Sequence, residues 1–254
     1  MINIIESIAT NNKCYQAAIP LYPQGIMLHS IGCPQPNADV MARYYNQYQP
    51  GGQSVCVHGF IQRDGTYYQT LPYNLRAWHC GGAANATHIG IEMAEPASIV
   101  YTGGASWRDL DTDATETHVR GTYAAAVELF AQLCEQYGFD PLADGVIISH
   151  AEGAERGIAS AHADPTHLWR AFGLTMDGFR SDVATAMAAK NTDEEDDDMA
   201  TRYNTVAELP AWAQEETQKL IDRGALLGDE HGNLDVTMDM LRTMIVCQRM
   251  VDGK

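Results

Sequence analysis

The chain has 254 residues, 45% of them hydrophobic, and a formal net charge of −17. That length bounds one medium domain plus something small, and so acidic a balance argues against nucleic acid or anionic lipid as a partner. No apolar run approaches the ~20 residues of a membrane helix, so no membrane insertion is expected.

In chain order, Gly25-Ile-Met-Leu-His29 reads as a buried strand ending in an imidazole. Asn37 can cap a helix through about Tyr48, stopped by Pro50-Gly51-Gly52. Ser54 to Ile61 reads as a strand, and Arg63-Asp-Gly-Thr66 as a tight turn into a second strand over Tyr67–Leu71. In His88-Ile-Gly-Ile-Glu-Met-Ala94, Ile89, Ile91 and Met93 share one strand face and Glu92 takes the other. Asp109-x-Asp111-x-Asp113 resembles the start of a calcium loop, but Ala114 replaces the required turn glycine and Arg120 the closing glutamate. Val119, Tyr123, Ala126, Val127, Phe130 and Cys134 recur at helical spacing, with Gly138 as the stop. A third apolar run, Val146–Ser149, leads into His150, and a helix near Met176–Ala189 closes the front domain. This alternation predicts an α/β fold, a mixed central sheet with helices on its faces.

Asp193 to Asp198 are six acidic residues in succession. Such density of like charge predicts an extended, solvated linker over about 190–200, between a front domain of about 1–189 and a tail of about 201–254. The tail reads as a helix from Pro210 to Arg223 stopped by Gly224, a tight hairpin over Gly228–Leu234, and a helix from an N-cap at Thr237 to about Val251. At this size it is near the lower limit for independent folding, so docking or dimerisation would help it.

The chemistry concentrates where the apolar runs end. A buried strand has no ordinary use for a terminal histidine, so two such strands point to a shared site. Two imidazoles plus a carboxylate form a common catalytic Zn²⁺ set. His29 and His150 are the expected ligands, and the third is His162 or Asp164, both acceptable chemically. If Asp164 binds metal, His162 becomes a free group for an oxyanion or a leaving amine. Glu92, aimed at an activated water, would be the general base. His58, His79, His88, His118, His167 and His231 are read as structural or supporting groups. The six cysteines lack Cys-x-x-Cys spacing and read as reduced thiols.

These landmarks resemble the zinc-dependent N-acetylmuramoyl-L-alanine amidases of the phage-lysozyme and peptidoglycan-recognition-protein type, over about residues 20–180. The resemblance is carried by the strand ending in His29, by His58-Gly-Phe-Ile-Gln-Arg-Asp-Gly-Thr66, by Ala77-Trp-His79, by Ile89-Gly-Ile-Glu92, and by Ser149-His150 followed by Gly157-Ile-Ala-Ser-Ala-His-Ala-Asp-Pro165. It implies Zn²⁺ on His29, His150 and Asp164, Glu92 as catalytic base, and peptidoglycan as substrate. Two departures stand out. Some members have a catalytic Tyr where this chain has Val57, and many have Lys where it has His162; the positive-charge role then passes to His162.

The tail resembles the small helical modules of endolysins from phages and prophages of Gram-positive bacteria, which implies cell-wall binding or self-association into a homo-oligomer. The amino terminus lacks the basic and apolar regions of a secretory signal. An endolysin made in the cytoplasm and reaching the wall at lysis is therefore expected. Three rivals remain from sequence: a non-catalytic peptidoglycan receptor on the same fold, a bacterial enzyme that recycles or remodels wall fragments inside the cell, and a zinc peptidase of the stem peptide.

Overall fold

In the computed structural model of the protein, residues 2–47, 55–229 and 233–251 are described. The chain divides into two compact units, Met1–Met187 and Ala188–Lys254. The first unit runs β1 (Asn3–Glu6), α1 (Lys13–Ala17), β2 (Gly25–Ser30), α2 (Ala38–Tyr45), β3 (Gly59–Ile61), β4 (Thr66–Gln69), β5 (His88–Met93), β6 (Ile99–Gly103), β7 (Ser106–Asp109), α3 (Thr112–Tyr137), β8 (Ile147–Ser149), α4 (His150–Glu155), α5 (Thr166–Trp169) and α6 (Met176–Ala200), the last crossing into the second unit.

Six strands form one mixed sheet in the order β1-β4-β3-β5-β2-β8. Only β3 and β4 pair antiparallel, as the tight turn between them requires; the other neighbours run parallel. The mixed sheet with flanking helices is the predicted architecture. β2 is buried along its whole length, as a strand with both faces covered must be. Its Ile26 and Leu28 join Ile89 and Ile91 of β5 in the main core, with Val119, Tyr123 and Phe130 of α3 and Phe179 and Val183 of α6. On the other face, Ala38 and Ala42 of α2 pack with Val57 and Phe60.

The predicted stripe on α3 is the buried one, and Gly138 ends that helix with a left-handed φ of 66°. The aspartates ahead of it act as caps: Asp111 Oδ1 accepts from Ala114 N at 3.1 Å, and Asp109 Oδ1 accepts from Thr115 Oγ1 at 2.7 Å. Helix α2 ends at Tyr45; the predicted stop at residues 50–52 and the strand start at Ser54 lie outside the described residues. Where a strand was expected from residue 54, only Gly59–Ile61 is regular, and Cys56 makes an isolated bridge to Trp78.

The acidic tract is the main correction. Residues 190–200 continue α6 as helix rather than extended chain. The reason is cooperativity. The run Val183-Ala-Thr-Ala-Met-Ala-Ala189 contains strong helix formers, and extending a formed helix gains one hydrogen bond per residue without a new nucleus.

In the second unit, β9 (Arg202–Tyr203) pairs antiparallel with β10 (Val236–Thr237), a ribbon the sequence did not announce. α7 (Ala211–Asp222) follows Pro210, with Gly224 at φ 69° just beyond it; α8 (Met238–Val251) begins where Thr237 Oγ1 accepts from Met240 N at 3.3 Å. Leu209, Ala213, Leu220, Val236, Leu241 and Ile245 form a core of their own. The predicted hairpin and His231 fall partly or wholly outside the described residues.

Candidate metal centre

Register explains why the site exists. Parallel pairing sets His29 beside Glu92, with Met27 beside Gly90 and beside Ile148 on the two neighbouring strands. Paired residues project to the same side of a sheet, so His29 and Glu92 share the face turned away from α3. β8 ends at Ser149, and His150 opens α4 at once. A reciprocal box fixes that start: Ser149 Oγ accepts from Glu152 N at 3.1 Å, and Glu152 Oε2 accepts from Ser149 N at 2.9 Å. His29, Glu92 and His150 thus lie at the carboxyl ends of three adjacent parallel strands, where open α/β sheets place their sites.

Asp164 comes from the loop before α5. Its backbone carbonyl accepts from Ala151 N at 3.2 Å and its Oδ2 from Ser30 N at 3.4 Å; its bond to Pro165 is cis. This brings three donors together. His29 Nδ1 stands 3.0 Å from His150 Nδ1 and 3.3 Å from Asp164 Oδ2, and His150 Nδ1 stands 3.5 Å from Asp164 Oδ1. A tetrahedral zinc with bonds of about 2.0–2.1 Å separates its ligands by about 3.3 Å, so the set fits zinc. Among the described residues this is the group of histidine, cysteine and acidic side chains that converges in this way. His162, the other candidate third ligand, has Nδ1 3.4 Å from His150 Nδ1 and 4.0 Å from Asp164 Oδ1. Its side chain is 60% exposed against 13% for Asp164, which places it at the rim.

Electrostatics follow burial. Burial holds His29 below the ordinary imidazole value, against the opposing pull of Asp164. Burial would raise Asp164, but the hydrogen bonds and charges of His150 and His29 outweigh it, so its carboxyl stays below the usual range. Glu92 goes the other way: burial, then the charges of Asp164 and Glu95, push it well above the carboxylate norm. Its Oε2 is sealed from solvent and has no hydrogen-bond partner.

The centre opens into a cleft of about 670 Å³, lined by His29, Glu92, His150, His162 and Asp164 and also by Tyr101 and His167. Sequence reasoning missed the wall network behind it. Buried Glu95 accepts from Ser30 Oγ at 2.7 Å, from Gly32 N at 3.1 Å and from Tyr101 Oη at 2.8 Å, and Tyr101 Oη lies 2.7 Å from His167 Nε2. The one available signal was Glu95 itself, a second carboxylate three residues after Glu92 and just before Pro96.

The family model described as N-acetylmuramoyl-L-alanine amidase matches residues 20–167, more than half of the chain. The chain belongs to this amidase family. Its reaction is hydrolysis of the amide between N-acetylmuramic acid and L-alanine in peptidoglycan. Among solved structures, the amidase is similar to the hydrolase AmiA of Staphylococcus aureus in complex with its ligand, at 17% identity and a TM-score of 0.56, over 76% of this chain and 85% of that one. It is similar to a mutant endolysin from Bacillus subtilis at 21% identity and a TM-score of 0.50, over 72% of this chain and 99% of that one. The structure of PlyL matches at 19% identity and a TM-score of 0.51, over 72% of this chain and 96% of that one. At these identities the likeness is one of fold. No curated protein matches the sequence.

Proposed function

We propose that the amidase is zinc-dependent, with His29, His150 and Asp164 holding the ion, Glu92 as general base and His162 serving the leaving group. The observation that carries this reading is the 3.0–3.5 Å triangle of donor atoms near Glu92, whose Oε2 is buried without a hydrogen-bond partner. Zinc bound there supplies Lewis acidity toward the scissile carbonyl and makes water a better acid. Glu92 takes the proton from the attacking water. Because burial raises the proton affinity of Glu92, it holds that proton until the departing alanine amine needs it. His162, exposed at the rim with its Nδ1 3.4 Å from His150 Nδ1, serves the oxyanion or the amine.

Two variants test the assignment. Asp164→Ala should lose bound zinc, whereas His162→Ala should keep the metal and lose rate. The reverse pattern exchanges their roles. Mass spectrometry of peptidoglycan digests should show free lactyl-bearing glycan and peptides beginning with L-alanine.

The protein acts as an endolysin, reaching the wall at lysis of the producing cell. Support comes from the fold it shares with the Bacillus subtilis endolysin. Among the described residues no helix is long and apolar enough to cross a membrane. Added from outside, the purified chain should clear suspensions of Gram-positive cells. The second unit binds the wall, supported by its exposed Trp212 (52%) and Leu227 (82%). The full chain should pellet with insoluble walls and lose this with Trp212→Ala; a dimer in sedimentation without wall binding points to self-association instead.

A further inference from the structure

Both imidazoles of the proposed centre are backed by one short stretch of chain. His79 Nδ1 meets His29 Nε2 at 2.8 Å, the rings edge to face. The adjacent carbonyl of Cys80 reaches His150 through a hydroxyl: Ser160 Oγ donates to it at 3.0 Å and stands 3.2 Å from His150 Nε2. Asn85 pins the stretch, its Oδ1 accepting from the backbone N–H groups of His79 and Cys80, each at 2.9 Å. The seat is tight. A Cβ on Gly90 would lie 2.4 Å from the His79 ring, so the strand beneath must be glycine for His79 to sit there.

We infer that His79 and Cys80 form a single positioning platform that fixes the tautomer and aim of His29 and His150 toward the metal. The inference rests on the proposed ligand role of those two residues.

Proton bookkeeping carries it. Ser160 has one hydroxyl proton; where the proposed ligand role leaves His150 Nδ1 bare for the metal, that proton goes to the Cys80 carbonyl, which can only accept and also takes Ser160 N–H at 2.7 Å. At His150 the serine oxygen therefore accepts, and His150 Nε2 is the N–H. A neutral ring with its proton on Nε2 has a bare Nδ1, the atom that faces His29 and Asp164. His29 needs the same arrangement to offer its own Nδ1. Its Nε2–H must then find an acceptor, and the atom in place is His79 Nδ1.

His79 consequently keeps its own proton on Nε2, a buried atom with no hydrogen-bond partner. A buried polar atom left unpaired opposes folding, so its presence calls for a reason. The task done by the other nitrogen supplies one. A neutral imidazole also orients His29 without adding a negative charge to a site that already holds Glu92, Glu95 and Asp164. Metal-bound histidines generally depend on such an acceptor at the second ring nitrogen, and its removal weakens metal binding by about 10–100-fold.

The test measures Co²⁺ and Zn²⁺ affinity of the full chain by chelator competition, with thermal unfolding of each metal-free variant alongside. His29→Ala serves as the reference and should abolish binding. His79→Ala should weaken affinity by about 10–100-fold and alter the Co²⁺ absorption bands. His79→Asn, whose Oδ1 can take the place of Nδ1 as acceptor, should recover most of the loss. Ser160→Ala should weaken affinity by itself, and it carries the test together with the Asn variant if His79→Ala fails to fold. If His29→Ala binds metal as tightly as wild type, the ligand assignment is what falls. If His29→Ala loses the metal while the His79 and Ser160 variants stay within about twofold of wild type, the platform is overturned. Asparagine no better than alanine at position 79 likewise overturns the hydrogen-bonding role.

Discussion

Glu92 occupies its place because the β2–β5 register seats it against His29, with Phe60 on its other side. The carboxyl is driven toward its neutral form by burial. In the role proposed for Glu92, catalysis and stability pull in opposite directions at one side chain. Glu92→Gln keeps the shape and removes the ionisable group. It should lower kcat by about 10²–10⁴-fold, the usual weight of general acid–base catalysis, while the zinc content expected of the proposed centre matches that of wild type. The same variant should unfold at a higher temperature than wild type when both are metal-free near pH 7, since the folded state no longer bears the cost of burying an ionisable carboxyl group. Unchanged kcat removes Glu92 from the role of base; a lower unfolding temperature means that burying the carboxyl is not a cost to the fold. This residue was legible because a single carboxylate interrupts Ile-Gly-Ile-Glu-Met. Glu95 was not singled out, since its burial depends on Ser30, Gly32 and Tyr101, which come from elsewhere in the chain.

At the scale of elements, the ends of strands mattered more than their middles. His150 was expected as the last residue of a strand and is instead the first of a helix. The sequence signal was available: Ser149-His-Ala-Glu152 is the serine-to-glutamate spacing of a helix start. Glu152 also pairs with Arg180 of α6, so one glutamate fixes the helix start and ties it to a second helix. Ser149→Ala should cost about 0.5–2 kcal/mol of stability and, by loosening the first turn, weaken zinc binding as well; denaturant unfolding and chelator competition read the two effects separately. Gly25→Ala tests the strand itself. A Cβ there would lie 2.3 Å from the backbone oxygen of Val146, leaving no flexible side chain to give way. That variant should disrupt the β2–β8 pairing and yield little soluble protein. Elements whose residues make no buried pattern stayed invisible. β1 shows four exposed residues in a row and pairs with β4 at the edge of the sheet. The β6–β7 hairpin lies outside the main sheet and alternates only weakly.

For the whole molecule, buried histidines and buried glutamates push the response to acid in opposite directions. His58 is the clearest case. Its Nδ1 accepts from Gly90 N at 2.9 Å and its Nε2 lies 2.9 Å from the Leu75 carbonyl, so the neutral ring is fully used. Protonation would turn the accepting nitrogen into a donor facing another donor. Burial, set against two backbone hydrogen bonds, lowers its pKa from 6.5 to about 4. Below pH 6.5 the unfolded chain takes up a proton that the folded chain refuses until about pH 4. Stability from this group is therefore complete above 6.5 and declines as pH falls through that window, by about 3 kcal/mol in total for a shift of this size. His88 and His118, both lowered chiefly by burial, act in the same direction. Glu92 and Glu95, both raised chiefly by burial, oppose it, since their contribution fades as pH rises through their elevated values. The net curve mixes these signs, so the test needs a difference. Denaturant unfolding of metal-free wild type and of His58→Asn, whose Oδ1 can still accept from Gly90 N, should be compared between pH 4 and 8. The gap between the two should be constant above about pH 7 and shrink by about 3 kcal/mol toward pH 4. Parallel curves would mean that His58 titrates in the fold as it does in the open chain, and that acid sensitivity has another source.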